Sequence, residues 1–166
     1  MTYFIMIRGP LGVGKSTIAK SINKELRGEY LSMDHIVDKN RVVKRSAKDG
    51  MIDVRNFLSA NKVIIPIVKK LISEGKHVIT DGCFYCMEQI VNLVDKIGED
   101  KVLVFDLKAP LEECIERDKG RKNSLGPDAT RAVYNAVSKF NFGIRINTYG
   151  KTPDQTTKEI LKHIKI

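Results

Sequence analysis

Cysteine is scarce in this 166-residue chain, and its count of three is odd. A disulfide framework is thereby excluded, and a reducing compartment, most simply the cytoplasm, is the expected location. Long hydrophobic runs are missing too. The longest, Val63 to Val68, is far short of a bilayer, so no membrane partner is expected. No basic segment followed by a cleavable apolar stretch opens the chain, and no export signal is read there. Repeats, low-complexity tracts and linker-like stretches are absent, which speaks against repeat arrays and disordered tails. Acidic residues are the minority, 20 against 29 basic ones, for a net charge of +9. That excess favours an anionic ligand without choosing between nucleotide, nucleic acid and metabolite.

What is present fits one globular domain over residues 1–166, with 42% apolar and 30% charged residues. The charge is local. Residues 1–50 and 101–166 each carry a net +5, and residues 51–100 carry −1. Lys39, Arg41, Lys44, Arg45 and Lys48 form one basic cluster, and Arg117, Lys119, Arg121 and Lys122 a second. Either is an ordinary solvated surface unless a site lies between them.

Strand and helix patterns alternate. Tyr3 to Ile7 reads as a strand buried on both faces, and Ile18, Ile22 and Leu26 give helical spacing over 15–26. Glu29 to Met33 is a weak strand. Phe57, Ala60, Ile64, Ile67 and Leu71 predict the buried stripe of a helix that Pro66 kinks or splits. Strands are expected at 77–80 and 101–107 around a helix at 87–97. Further helices are expected after Pro110, at 128–140 and after the capping box Thr152-Pro153-Asp154-Gln155, with a poor strand at 144–148. Such alternation implies βαβ units in an α/β fold, with a mostly parallel sheet covered on both faces.

Gly9-Pro10-Leu11-Gly12-Val13-Gly14-Lys15-Ser16, followed by Thr17, matches the phosphate-loop pattern G-x-x-x-x-G-K-[ST] between the first strand and the first helix. Its glycines let successive amides point at phosphate oxygens, Lys15 reaches the β- and γ-phosphates, and the Ser16 hydroxyl suits Mg²⁺. Asn-Lys-x-Asp, the base-reading pattern of GTPases, is missing; Asn61-Lys62-Val63-Ile64 lacks the Asp. ATP is therefore the expected nucleotide.

Asp34 follows the second strand, where it either takes the proton of an acceptor hydroxyl or caps a helix. Asp81 follows the third and either holds Mg²⁺ or belongs to an Asp-Gly turn. Arg117 and Arg121 share a face if their helix extends that far, and would clamp phosphoryl oxygens; a plain ion pair between Glu113 and Arg117 is the alternative. Cys83-Phe84-Tyr85-Cys86 is a single C-x-x-C, with too few further ligands for a structural zinc site.

The segments GPLGVGKST (9–17), YLSMDHI (30–36), VITDG (78–82) and LKAPLEECIERDKGR (107–121) resemble the small P-loop kinases. That group includes adenylylsulfate, gluconate and shikimate kinases, chloramphenicol phosphotransferase and polynucleotide kinase-like AAA-type ATP-binding proteins. The resemblance implies a P-loop NTPase fold with a five-stranded parallel sheet and a lid near 117–127. It implies Asp34 on the acceptor side, Arg117 and Arg121 as lid arginines, and adenine packing at 150–153, hence Lys151, Thr152 and Pro153 as nucleotide-binding residues. Two departures leave the acceptor open. The remaining substrate signature of adenylylsulfate kinases is missing, and Ile36 stands where shikimate kinases carry a second Asp.

The expected activity is transfer of the γ-phosphoryl of ATP, with Mg²⁺, to a hydroxyl of a small molecule, an anionic one being an open option, by a monomer or homodimer. Lys15, Asp34, Arg117 and Arg121 are the expected catalytic residues, and Ser16 and Asp81 the metal ligands. A polynucleotide 5′-hydroxyl kinase, for which the 39–48 cluster would hold nucleic acid, is one alternative. A nucleotide-dependent switch without transfer chemistry is the other.

Overall fold

The structure is a computed structural model that describes residues 1–39 and 52–165, the side chains of Asp34 and Val37 excepted. Most of the basic cluster at 39–48 lies outside the described residues.

Five strands form one parallel sheet: β1 (Phe4–Arg8), β2 (Glu29–Ser32), β3 (Val78–Gly82), β4 (Val102–Lys108) and β5 (Ile144–Asn147), in the order β2-β3-β1-β4-β5. Among the described residues seven α-helices accompany them: α1 (Lys15–Leu26), α2 (Met33–Lys39), α3 (Val54–Ser73), α4 (Met87–Ile97), α5 (Leu111–Lys119), α6 (Pro127–Val137) and α7 (Pro153–Leu161). Parallel pairing puts the carboxyl ends of all five strands along one edge.

The apolar run of β1 has a function on each face. Ile5 and Ile7 join Ile79, Phe105, Leu107 and Ile146 beneath α1 and α7. Phe4 and Met6 join Val78 and Val104 beneath α3 and α4. A strand with helices on both faces has no solvent side, so the alternation typical of half-exposed strands is lost.

Two expectations about helices need correction. Pro66 does not split α3, which runs unbroken through it. Both Pro66 and Lys62, whose carbonyl lies one turn earlier, are exposed, so water can satisfy the oxygen that the imino acid leaves unpaired. The buried stripe of α3 is Ala60, Ile64 and Val68 with Asn56 and Asn61, whereas Ile67 is surface-exposed. The amide of Asn61 donates to the Gln89 carbonyl and to Asn92 Oδ1 of α4, so a polar contact takes a place that hydrophobicity alone assigns to an apolar side chain. α5 ends at Lys119, so the condition for Arg121 to share a helical face with Arg117 is not met and Arg121 lies in a loop. The capping box forms as expected: Thr152 accepts from the Gln155 amide, and Gln155 from the Thr152 amide. Among the described residues, no helix is long and apolar enough to cross a membrane.

Candidate functional site

The chain leaves β1 at Arg8 and curls through Gly9 to Gly14 into α1, whose first residue is Lys15. Gly12 has a φ of +74°, and a Cβ built on it would stand 2.0 Å from the Cys114 carbonyl oxygen of α5. Only a hydrogen fits there, so the phosphate loop lies directly against α5. No side chain caps the start of α1 and its first turn holds no acid, so its amides and positive dipole end are available to an anion. Lys15 Nζ donates to the Pro10 carbonyl at 2.7 Å, folding back over the loop.

Asp81 is not part of a turn, because Asp81 and Gly82 are the last two residues of β3. Its carboxylate is buried and bound on both oxygens. Ser16 Oγ donates to Oδ2 at 2.5 Å, and the Tyr30 hydroxyl of β2 donates to Oδ1. Mg²⁺ binds through hard oxygens and commonly takes one or two protein groups, keeping water or phosphate elsewhere. The Ser16 and Asp81 oxygens fit that requirement. Among the described residues there is no cluster of three or more His, Cys, Asp or Glu side chains of the kind zinc needs. Within the C-x-x-C, the Cys86 thiol donates to Glu88, and burial together with that carboxylate raises its pKa.

Asp34 lies in the first turn of α2, directly after β2, at the edge that carries the phosphate loop; its side chain is outside the described residues. The capping alternative belongs to its neighbour, since Ser32 Oγ accepts from the His35 amide at 3.3 Å.

A cavity of about 430 Å³ opens on the loop from Gly12 to Ile18 and is walled by Arg117, Arg121, Thr148, Lys151, Pro153 and Thr156. Arg117 makes the ion pair with Glu113, at 2.8 Å, and reaches the site as well. Its other nitrogens donate to the Val13 carbonyl at 3.4 Å, Thr148 Oγ1 at 3.1 Å and the Thr148 carbonyl at 3.3 Å. The two readings of Arg117 are thus parts of one arrangement. Arg121 reaches the same cavity from the loop, 3.4 Å from Asp118 Oδ1. Thr152, expected at the nucleotide, is instead the cap of α7, while Lys151 and Pro153 on either side line the cavity. Gly9, Pro10 and Leu11 do not line it; Thr17 does.

Besides Thr156 on the cavity wall, four residues at or beneath the site escaped the sequence reading. Tyr30 meets Asp81 across the β2–β3 pairing, which joins positions some fifty residues apart and leaves no local trace. Thr148 follows a strand whose pattern is poor. Arg8 and Asp106 are adjacent on β1 and β4, both fully buried, with a 2.6 Å ion pair. The Arg8 guanidinium also donates to the carbonyls of Phe84, Val137 and Phe140 and stacks 4.2 Å over the Phe140 ring. A charge ending an apolar strand was the available signal. Burial lowers the pKa of Arg8, opposed by Asp106. Phe84, whose carbonyl Arg8 binds, has a φ of +45°, unusual for an aromatic residue.

Comparison with known proteins fits this geometry. A family model described as an AAA domain matches residues 4–141, from β1 to just before β5. The chain belongs to that family. This P-loop family member is 25% identical to a shikimate kinase of Bacillus cytotoxicus, over 96% of this chain and 97% of the relative. It is 27% identical to a putative adenylate kinase of Thermococcus kodakarensis, over 97% and 85%. A gluconokinase from Sinorhizobium meliloti 1021 superposes with a TM-score of 0.74 at 12% identity, over 96% of this chain and 90% of that one. A sugar kinase from Janibacter sp. HTCC2649 gives 0.79 at 17% identity, over 98% and 94%. The family is kinase-like, and the chain stands among P-loop kinases with a five-stranded parallel sheet.

Proposed function

We propose that the chain is an ATP- and Mg²⁺-dependent phosphotransferase acting on a hydroxyl of a small molecule. The observation that carries this reading is a phosphate-loop cavity walled by Arg117 and Arg121, whose Ser16 donates its hydroxyl to the buried Asp81 carboxylate. A phosphate loop and its Ser–Asp pair serve hydrolases and switches as well; two arginines beside the loop suit the charge of a transferring phosphoryl group, and the kinases named among the relatives favour transfer over hydrolysis.

In this reading the amides from Gly12 to Ser16 and the Lys15 ammonium take the β- and γ-phosphates. Ser16 and Asp81 would hold Mg²⁺, which would supply positive charge against the phosphates. The acceptor oxygen attacks the γ-phosphorus as the bond to the β–γ bridging oxygen breaks, and its proton passes to Asp34; ADP and the phosphorylated acceptor leave. Arg117 and Arg121 stabilise the charge on the moving group. The 150–153 segment would pack the adenine. The whole chain acts as one unit, with 117–127 as its lid, in the cytoplasm.

The test presents the protein with ATP·Mg²⁺ and a panel of neutral and anionic hydroxyl compounds, followed by phosphate-transfer assays on Asp34→Asn. Transfer should fall by roughly 100-fold or more, the usual scale of a lost general base. Affinity for ATP should change little. A fully active Asp34→Asn protein removes Asp34 from the mechanism, and ATP binding without transfer to any acceptor removes the phosphotransfer reading.

A further inference from the structure

Asp118 is a buried carboxylate that the phosphotransfer reading leaves without a role. It is the last residue but one of α5 and only 1% exposed. Beyond it the chain turns back, and four groups converge on its oxygens. Oδ2 accepts from Ser124 Oγ at 2.8 Å, the Leu125 amide at 3.1 Å and the Gly126 amide at 3.3 Å, while Arg121 Nη1 stands 3.4 Å from Oδ1. Burial disfavours the charge, but the Ser124 hydroxyl, the Gly126 and Leu125 amides and Arg121 together outweigh it and hold the pKa below the ordinary carboxylate value.

The loop has little else to hold it. Residues 121–125 are all exposed, and its one large apolar side chain, Leu125, is 63% exposed. Hydrophobic burial therefore cannot set its shape, and the Asp118 carboxylate is its anchor. The two arginines of the cavity differ accordingly. Arg117 is fixed by Glu113, Val13 and Thr148, whereas Arg121 has one long contact and is 52% exposed, so little opposes its pairing with a ligand.

We propose that Asp118 is a positioning residue that folds the 120–126 loop through Oδ2 and so presents Arg121 to the polyphosphate of a nucleotide in the cavity. The proposal rests on the reading of that cavity as the ATP site. It makes and breaks no covalent bond: the guanidinium exchanges a carboxylate for phosphate oxygens.

Two readouts on the full chain test it, neither requiring phosphoryl transfer. The first is limited trypsin digestion, with mass mapping of cleavage after Arg121 and Lys122. Asp118→Asn should speed cleavage about tenfold, the scale of losing charge-assisted hydrogen bonds, and Ser124→Ala a few-fold. The second is calorimetric titration with a non-hydrolysable ATP analogue and with adenosine. Asp118→Asn should weaken the analogue roughly tenfold, leave adenosine unchanged, and have no further effect in an Arg121→Ala background. Unchanged cleavage overturns the proposal, as does a loosened loop with unchanged analogue affinity, or a loss that adds to that of Arg121→Ala. Should Asp118→Asn fail to fold, Ser124→Ala at the surface decides by the same two readouts. Absence of transfer to any acceptor would remove the phosphotransfer reading and leave these results as they are.

Discussion

Gly12 and Gly14 occupy the same motif, yet substitution by alanine should affect them very differently. Both have positive φ, +74° and +102°, so either change places an L residue in disfavoured backbone at about 1–3 kcal/mol. At Gly14 that is the whole cost, because nothing lies within 4 Å of the new methyl group. At Gly12 the methyl would lie 2.0 Å from the Cys114 carbonyl oxygen, which is backbone and unable to rotate away. An ordinary carbon–oxygen contact is about 3.3 Å, so loop and α5 must separate by on the order of 1 Å. Opening that packed junction adds about 1–3 kcal/mol, as overpacking does elsewhere. With about 2–4 °C per kcal/mol for a chain of this size, Gly14→Ala should melt roughly 2–12 °C below the parent and Gly12→Ala roughly 4–24 °C below it. Paired thermal melts in one buffer measure the difference, and titration with an ATP analogue should show the greater loss for Gly12→Ala. Equal melting temperatures for the two variants would refute the steric account of why the loop lies against α5.

Two further predictions concern groups beneath the site. Arg8→Met leaves Asp106 buried and without its main partner, and should cost about 3–5 kcal/mol in denaturant unfolding; Arg8→Met with Asp106→Leu should recover most of the loss. The Cys114 thiol is pushed up by burial from its ordinary 9.0 to about 11, with Arg117 and Lys15 opposing the shift. The unfolded chain therefore loses this proton first, so the stability held below pH 9 declines between pH 9 and about 11. Cys114→Ala should remove that part of the decline, and identical pH profiles for parent and variant would contradict the assignment.

Three of the strands, most of the helices and the phosphate loop were legible because each has a local signature: continuous apolar runs, a 3.6 period, glycines at fixed offsets. β2 and β5 lack such runs and read only as weak or poor strands, the count of five rested on the family resemblance, and the seven-residue α2 is too short for a period to show. The capping box at Thr152 was legible from its spacing, and it puts Thr152 at the start of α7 between Lys151 and Pro153, which line the cavity. Tyr30, Thr148 and the Arg8–Asp106 pair were hidden because strand order creates them; β2 reaches β3, and β1 reaches β4, across long intervening sequence. Whether α5 reached Arg121 stayed open in the sequence because Asp118 collects the following loop at its end, an interaction that periodicity does not report.

The strand order also divides labour along the edge of the sheet. The walls of the cavity come from the segments after β1, β4 and β5, on one side and the centre, whereas Asp34 and Asp81 come from β2 and β3 on the other. The two strips meet at Asp81, whose carboxylate takes the hydroxyls of Ser16 from the phosphate-loop side and Tyr30 from β2. If Asp34 faces the acceptor as proposed, exchanges confined to the β2 side of that joint alter the acceptor's surroundings alone, whereas a change at Asp81 disturbs both strips. For an engineer Asp81 is the coupling to keep when the edge of the sheet is rebuilt.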